Sequence, residues 1–316
     1  MRPDVSFIIA AFNAEETVTR AVRSALRQEG VEVEVIVVDD ASVDATADIV
    51  ARIDDQRVRL VRLARNGGPG AARNAGLDVA TGRYVAVLDS DDTVQPDRMA
   101  RLVGRADGAR ADIVVDNIEI MDASTRRLEL MFPREALARM ERLDLAAFIS
   151  GNLMFDRGYS LGYMKPMLRR GFVEAHALRY DTNLRIGEDY ILIASALAND
   201  AVCIVEPQPG YVYHIREGSI SRVLERRHVD AILRADEAFV SSHRLDSRAK
   251  QAQAQRTRSL NEAATFLRLV DDIKAKAPIR ALRTALGDPR AVRHLKMPIM
   301  ARVRRLMPRM RLLESR

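Results

Sequence analysis

The stretch Tyr84-Val85-Ala86-Val87-Leu88, followed at once by Asp89-Ser90-Asp91-Asp92, predicts a buried strand that ends on carboxylates. Unbroken apolar runs of this kind are typical of strands covered on both faces of a sheet. Asp89 and Asp91 are separated by one residue, so in an extended segment their side chains lie on one side and can share a hard cation. Asp also favours turns and helix N-caps. The stretch taken alone therefore leaves a metal site and a capped turn equally open.

Apolar runs and helical patterns alternate around this strand. The predicted strands cover residues 5–10, 33–38, 58–63 and 84–88. A helical pattern follows each of the first three strands. Asn13 and Glu16 have the spacing of a capping box, and Ser42 is expected to open the second helix. The β-α-β-α-β-α-β order predicts an α/β fold, with a mostly parallel, Rossmann-like sheet and helices on both faces.

Polar residues follow each of the four predicted strands. They are Phe12-Asn13-Ala14-Glu15, Asp39-Asp40, Asn66-Gly67-Gly68-Pro69-Gly70 and Asp89-Ser90-Asp91. Ligands collect at the carboxyl ends of the strands in open sheets of this kind. The glycine segment begins a helix, where free amides and the helix dipole favour an anion such as a diphosphate, although it equally fits ordinary turn chemistry. Four strand ends meeting at one crevice favour a ligand site over a capped turn.

The composition fits a protein with a sizeable core, since 47% of the 316 residues are hydrophobic and 30% are charged. No stretch approaches the roughly 20 apolar residues of a transmembrane helix. Strand-like sequence begins close to the N-terminus, so we expect no signal peptide. The single cysteine, Cys203, lies in an apolar run and is predicted to be a core thiol in a reducing cytosol.

Positive charge is concentrated at the C-terminal end of the chain. Residues 274–316 contain 13 Lys or Arg against two acidic residues, whereas the preceding residues contain 37 basic and 42 acidic ones. Arg interleaved with Leu and Met suits peripheral contact with an anionic membrane, on the inner face of the plasma membrane. A solvated tail is the alternative. Few aromatic residues in the tail and an acidic body argue against binding to nucleic acid.

Taken in order, the four motifs resemble those of glycosyltransferase family 2, the inverting enzymes with the GT-A fold. The matching segments are Val5-Ser6-Phe7-Ile8-Ile9-Ala10-Ala11-Phe12-Asn13, Val35-Ile36-Val37-Val38-Asp39-Asp40-Ala41-Ser42-Val43-Asp44, Asn66-Gly67-Gly68-Pro69-Gly70-Ala71-Ala72-Arg73-Asn74-Ala75-Gly76 and Leu88-Asp89-Ser90-Asp91-Asp92. The resemblance continues more loosely to residue 222. Ala10 stands where the family usually has Pro, and Phe12 replaces the commoner Tyr but keeps an aromatic wall.

The resemblance implies a transferase that uses a nucleotide sugar, expected to be a UDP-sugar, together with Mn²⁺ or Mg²⁺. Asp39 would accept a hydrogen bond from the uracil imide, and Arg73 would reach the base or the phosphates. Asp89 would hold the ribose or the donor sugar, while Asp91 would ligate the cation at the diphosphate. The other donor-binding residues implied by the motifs are Ala11, Phe12, Asn13, Glu15, Asn66, Gly70 and Ser90.

An inverting transfer also needs a general base beside the acceptor hydroxyl. Glu188-Asp189 matches the Glu-Asp pair of the family, so Asp189 is predicted to be the base and Glu188 an acceptor-orienting neighbour. Two carboxylates at a helix N-terminus can equally be dipole-stabilising caps. Lys165 and Arg169 fall where the family often has a basic residue near the acceptor.

The segment after residue 210 resembles the part of the family that closes over the diphosphate. His214 is predicted to be a further metal ligand, although a single His is more often structural. Arg216, Ser219 and Ser221 are predicted to contact phosphate oxygens.

The predicted organisation is a GT-A catalytic domain over residues 1–222 and a helical, basic C-terminal region over 223–316. Residues 1–110 would bind the nucleotide sugar, and residues 111–222 the acceptor, a saccharide or lipid-linked saccharide of surface polysaccharide or glycolipid synthesis. The competing functions are a nucleotidyltransferase and a non-catalytic nucleotide-sugar-binding protein. A dinucleotide-dependent oxidoreductase is disfavoured because no glycine motif follows the first strand.

Overall fold

The computed structural model describes residues 2–122, 127–155, 160–215 and 224–296. The strands within these residues are β1 Val5–Ala11, β2 Val33–Asp39, β3 Val58–Arg62, β4 Tyr84–Val87, β5 Thr93–Val94, β6 Ile113–Asp122, β7 Arg127–Leu130, β8 Met167–Arg169 and β9 Cys203–Ile215. The helices are α1 Val18–Leu26, α2 Thr46–Ala51, α3 Pro69–Val79, α4 Arg98–Ala109, α5 Arg134–Ala138, α6 Leu145–Ser150, α7 Arg170–Ala175, α8 Glu188–Ala198, α9 Arg226–Ser242, α10 Ser247–Lys274, α11 Pro278–Gly287 and α12 Pro289–Val292.

The described strands form one nine-stranded sheet in the order β3-β2-β1-β4-β8-β6-β9-β5, with β7 paired to β6. Strands β3, β2, β1 and β4 are parallel, as the apolar runs predicted. The interior residues of β1 and β2 are buried on both faces, which explains their near-continuous apolar sequence. Because the four strands run in one direction, their carboxyl ends and the motifs that follow them lie along one edge.

The second half of the sheet is mixed. Strand β8 pairs antiparallel with both β4 and β6, so this short strand joins the two halves. In the β4–β8 register Ala86 lies opposite Met167. Lys165 lies two residues before β8 and Asp89 two residues after β4, so the antiparallel pairing brings both to the same end of the two strands. The pairing of β8 with β4 therefore places Lys165, from the second half of the chain, beside the acidic residues that follow β4.

Two predicted helix starts were wrong. Helix α1 begins at Val18, and the side chain of Asn13 accepts a hydrogen bond from the Val43 amide at 3.0 Å in place of capping the helix. Helix α2 begins at Thr46, and Ser42 Oγ accepts from the Asn13 amide at 3.0 Å. Both polar side chains therefore bridge the loops after β1 and β2. Asn13 also has a positive φ of 50°, which differs from the extended conformation of a helix N-cap.

The C-terminal helices pack against the part of the chain that precedes them. Leu184 joins Val229, Ile232 and Leu260 of α9 and α10 in a separate hydrophobic cluster. The Arg256 guanidinium lies 3.5 Å from the centroid of the Tyr190 ring on α8. Across the described ranges, no helix has the length and apolar character needed to cross a bilayer.

Cys203 is a buried, free thiol at the start of β9. Burial raises the pKa of this thiol to about 12, so it stays protonated and unreactive near neutral pH. The prediction of a core thiol is confirmed.

Candidate active site

Hydrogen bonds between the loops after β1 and β2 shape one wall of the candidate site. Asn13 accepts from the Val43 amide at 3.0 Å, and Glu15 Oε2 accepts from the Ala45 amide at 3.0 Å. Phe12 is exposed beside these loops. An exposed aromatic ring on a fixed loop can stack on a planar ligand. The predicted donor contacts of the three motif residues stay predictions.

The buried carboxylate of Asp39 ends β2, opposite Ala11 at the end of β1. Its Oδ1 accepts from the Ser42 amide at 3.3 Å. The amide of the next residue, Asp40, donates to the Ala11 carbonyl at 2.8 Å and so links the ends of β1 and β2. Asp39 is thus held by the backbone at the edge where a base would bind, and its contact with uracil stays a prediction.

Asp40 organises the glycine segment that precedes α3. Its Oδ1 accepts from the Gly67 amide at 2.7 Å and its Oδ2 from the Gly68 amide at 2.8 Å. The expectation that the amides of this segment are free for a phosphate was therefore wrong for these two groups. The sequence pointed to Asp39 and missed Asp40, although an aspartate facing a glycine-rich turn is a ready acceptor for its amides.

Arg185 is an exposed cation above this segment. Its Nη1 donates to Asn66 Oδ1 at 3.1 Å, and a Cβ on Gly68 would lie only 2.4 Å from the same nitrogen. The exposed Arg185 side chain could move aside, but Gly68 has a φ of 86°, a backbone conformation that favours glycine. Gly70 packs closely too, since a Cβ there would lie 3.0 Å from the Asp181 carbonyl oxygen. Arg185 lies far from the motifs along the chain, so no sequence pattern pointed to it.

Arg73, on the second turn of α3, is the centre of a cluster of buried charges. It is 3% exposed. Its Nη1 donates to Glu188 Oε1 at 2.6 Å and to Asp189 Oδ1 at 2.9 Å, and its Nη2 donates to Asp89 Oδ1 at 2.8 Å. The Tyr180 ring centroid lies 5.4 Å from its Cζ. In this arrangement Arg73 positions carboxylates, and its predicted contact with the base or phosphates stays a prediction.

Lys165 closes the cluster into a ring. Its Nζ lies 2.9 Å from Asp89 Oδ2 and 2.9 Å from Asp189 Oδ2. Asp89 and Asp189 therefore share both cations, Arg73 on one side and Lys165 on the other. The predicted donor-side aspartate and the predicted acceptor-side base are fixed relative to one another. Arg169, the second basic candidate, instead pairs with Asp112.

The charges in the ring stabilise one another. Burial would raise the pKa of the Asp89 carboxyl, but Lys165 and Arg73 hold it well below its usual range. Burial would likewise lower the pKa of the Lys165 ammonium, but Asp189 and Asp89 raise it above its ordinary value. Glu188 behaves differently. Burial raises the pKa of its carboxyl, Arg73 opposes the rise and Asp189 adds to it.

Asp92 anchors the end of β4 to β9. Its Oδ2 accepts from the Tyr211 hydroxyl at 2.7 Å, and its Oδ1 accepts from the His214 amide at 2.9 Å. The Tyr211 hydroxyl in turn accepts from the Asp89 amide at 3.1 Å. Burial and the neighbouring charges of Asp89 and Asp91 raise the pKa of Asp92 well above its ordinary value. Asp92 is a structural anchor that the sequence motif does not separate from its neighbours.

Asp91 and His214 lie on neighbouring segments. In the antiparallel β5–β9 register Thr93 pairs with Val212, so Asp91, two residues before Thr93, and His214, two residues after Val212, lie toward the same end of the two strands. The His214 Nε2 lies 3.0 Å from Thr93 Oγ1. Among the described residues, no group of three or more His, Cys, Asp or Glu could hold a metal ion. Carboxylate and imidazole groups are both known ligands of divalent cations, and the predicted role of Asp91 and His214 as metal ligands stays a prediction.

Ser90 lies between Asp89 and Asp91 and is half-buried. The predicted phosphate contacts of Arg216, Ser219 and Ser221 lie outside the described residues.

Comparison with known proteins identifies the family. The model described as "Glycosyl transferase family 2" matches residues 6–170. The chain belongs to glycosyl transferase family 2. The succinoglycan biosynthesis protein ExoO of Rhizobium meliloti (strain 1021) is a similar protein, 55% identical over 307 residues that span 97% of this chain and 88% of that protein.

A second family relative matches over a shorter region. It is the UDP-Glc:alpha-D-GlcNAc-diphosphoundecaprenol beta-1,3-glucosyltransferase WfaP of Escherichia coli, 46% identical over 88 residues, or 28% of this chain and 35% of that protein.

The fold is shared with a solved structure, S. aureus TarS 1–349 in complex with UDP-GlcNAc. The TM-score is 0.63 at 18% identity, covering 89% of this chain and 90% of that chain. The predicted GT-A fold is confirmed, and the family 2 chain is a glycosyltransferase. The same findings favour a glycosyltransferase over the nucleotidyltransferase and non-catalytic alternatives.

Proposed function

We propose that this family 2 protein is an inverting, metal-dependent glycosyltransferase that moves a sugar from a UDP-sugar to a saccharide or lipid-linked saccharide. One observation carries the proposal. The carboxylates of Asp89 and Asp189 each lie 2.9 Å from the same ammonium group of Lys165. The donor-side and acceptor-side carboxylates are thus close enough for a donor sugar and an acceptor hydroxyl to meet beside them.

Asp189 would act as the general base. It takes the proton of the acceptor hydroxyl as that oxygen attacks the anomeric carbon of the donor sugar. A glycosidic C–O bond forms on one face while the bond from the anomeric carbon to the diphosphate oxygen breaks on the other, and the electron pair leaves with the nucleoside diphosphate. Direct displacement of this kind inverts the anomeric configuration.

Arg73 and Lys165 would be positioning residues. Together they donate to both oxygens of Asp189, so the carboxylate has a fixed orientation toward the acceptor. Glu188 would orient the acceptor. Burial raises the pKa of its carboxyl while Arg73 opposes the rise, and the carboxyl group can form a hydrogen bond with a sugar hydroxyl.

Mn²⁺ or Mg²⁺ would be held by Asp91 and His214 together with the diphosphate. When bound, a divalent cation would offset the negative charge that develops on the leaving nucleoside diphosphate. Ser90, Arg216 and Ser219 are proposed as further donor contacts. Arg185 adds an exposed guanidinium above Asn66, within reach of anionic groups on a donor seated at the glycine segment.

The acceptor is proposed to belong to surface polysaccharide or glycolipid assembly. Two relatives support this: a succinoglycan biosynthesis protein, and a glucosyltransferase whose name gives UDP-Glc as donor and a diphosphoundecaprenol-linked acceptor. A lipid-linked acceptor is presented at a membrane, so peripheral contact through the basic residues of 274–316 is part of the proposal. The division at residue 222 into a catalytic domain and a helical region is also proposed.

We expect thermal stabilisation by UDP and by one or two UDP-sugars that depends on Mn²⁺ or Mg²⁺. The measurement is a melting-temperature screen of nucleotide sugars with and without each cation. Asp91→Ala should abolish the cation-dependent part, while the matched variant Asp97→Ala, on the exposed start of α4, should keep it. Failure of every nucleotide sugar to stabilise the protein with either cation would contradict the proposed function.

Lys165→Met should lower kcat by about 100-fold and change the donor KM by less than about threefold. Its ammonium holds two carboxylates at 2.9 Å, and a small misplacement of a catalytic group costs about this much. Lys165→Arg should recover part of the rate, because it restores the positive charge on a side chain of different length and shape. Steady-state kinetics at saturating acceptor would make the comparison, and a lysine role limited to folding would leave kcat of the folded Lys165→Met protein unchanged.

A further inference from the structure

Helix α11 presents its large apolar side chains to solvent. Ile279, Leu282 and Leu286 are 76%, 62% and 71% exposed. Their spacing of three and four residues places them on one face of the helix. The outward face is therefore the apolar face of an amphipathic helix, the reverse of the arrangement in a helix that covers a core.

Small and polar residues occupy the inward side. Ala281, Thr284 and Ala285 are half-buried, and Thr284 Oγ1 donates to Asp272 Oδ2 of α10 at 3.0 Å. The Arg280 Nε also lies 3.5 Å from Asp272. Polar contacts thus fix how α11 is rotated about its axis, and this rotation holds the apolar face outward.

The exposed face lies in a strongly basic part of the chain. The described residues 274–296 contain seven Lys or Arg and one acidic residue, Asp288. Arg283 lies on α11 itself, and Arg290 follows within the next short helix. Both are exposed. An apolar face bordered by cations is complementary to a surface with an apolar interior and anionic groups around it, which describes an anionic bilayer.

We infer that the face of Ile279, Leu282 and Leu286 is a membrane-docking surface, seated in the headgroup region of an anionic lipid bilayer. The three side chains would enter the boundary of the acyl chains while Lys and Arg contact lipid phosphates. The inference rests on the proposed function in one respect: docking would give the enzyme access to a lipid-linked acceptor. The membrane contact proposed for the basic residues of 274–316 is thereby assigned to one face of α11.

Flotation of the full chain with lipid vesicles tests the surface without donor, cation or acceptor. We expect binding to phosphatidylglycerol–phosphatidylcholine vesicles, weak binding to phosphatidylcholine alone, and loss of binding at high salt. Ile279→Ser with Leu286→Ser should weaken binding to the anionic vesicles by about tenfold, because two large aliphatic groups no longer partition. Arg283→Gln with Arg290→Gln should weaken it by a similar factor, about tenfold.

The matched control is Leu128→Ser with Leu130→Ser. These two leucines are exposed on β7, and we expect vesicle binding to stay unchanged. All variants change exposed side chains, so circular dichroism and melting temperature should match the parent. Equal binding by the α11 double variant, or loss of binding only on deletion of residues 297–316, would overturn the inference. So would a change in solution mass without a change in vesicle binding, which would assign the face to a second copy of the chain.

These outcomes are separate from the proposed function. Vesicle binding lost in the α11 variant together with full glycosyl transfer to a water-soluble acceptor supports both. Vesicle binding without any donor binding would leave the docking surface intact and remove the enzymatic proposal.

Discussion

Asp189→Asn should lower kcat by about two to four orders of magnitude, the usual contribution of a general base. The amide keeps the shape of the side chain and an oxygen that can accept from Lys165 or Arg73, which now bond both carboxylate oxygens. It cannot take a proton from the acceptor hydroxyl. The measurement is the rate of UDP release with saturating donor, cation and acceptor, together with the melting temperature of the variant.

A measurement of donor binding distinguishes loss of the general base from loss of the donor-binding site. We expect Asp189→Asn to keep the cation-dependent thermal stabilisation by nucleotide sugar, because the donor contacts lie on other elements. Asp200→Asn is the matched control. Asp200 is exposed with a φ of 61°, a conformation that Asn also adopts, so the rate should stay within about twofold. A folded Asp189→Asn protein that transfers sugar at the parent rate would exclude the residue as the base.

Local sequence was enough to predict the first half of the sheet. Strands β1 and β2 are near-continuous apolar runs and β4 is an unbroken one, and such runs are readable because both faces of a parallel strand are covered. Strand β8 was not predicted. It contains three residues, too few for a periodic pattern, and its position is decided by pairing with β4 and β6.

The candidate site was likewise predictable only in part from the sequence. Asp39, Asp89 and Asp91 follow strands, so their common edge follows from the parallel order alone. The contact between Arg73 and Glu188 joins residues 115 positions apart, and the one between Lys165 and Asp89 depends on β8. Side-chain partners of that kind are selected by tertiary packing, which a pattern along the chain does not contain.

Helix α11 shows a further limit of sequence patterns. Spacing identifies an amphipathic helix, and the usual expectation is that the apolar face packs inward. Here the contacts of Thr284 and Arg280 with Asp272 fix the opposite rotation. The direction of an amphipathic face is thus a property of the docked helix, and basic residues around it were the only sequence signal that pointed to a surface role.

Arg73→Met should produce the largest loss of stability of any single change in the ring. The variant leaves Glu188 and Asp189, both buried, without the guanidinium that lies 2.6 Å and 2.9 Å from them. Breaking a buried ion pair by removing one partner costs about 3–5 kcal/mol. Lys165 still neutralises part of the charge on Asp189 and Asp89, so we expect about 3 kcal/mol in the free energy of unfolding, measured by urea denaturation near pH 7.5.

The loss should depend on pH in a defined direction. Burial raises the pKa of Glu188 and Arg73 opposes that rise, so removing Arg73 raises it further. A carboxyl whose pKa is raised by folding destabilises the folded state above the pKa of the unfolded chain, which is about 4.3 for Glu. This penalty is present at neutral pH and is relieved as the pH falls through the raised pKa.

The difference in unfolding free energy between parent and Arg73→Met should therefore be largest at pH 7–8 and shrink toward about pH 4.5. Arg73→Lys provides the control, because it keeps a charge but not a planar fork that donates to three carboxylates, and should fall between the two proteins. A difference that is constant across this pH range would mean that Arg73 stabilises the fold by packing on Tyr180 and not by its charge.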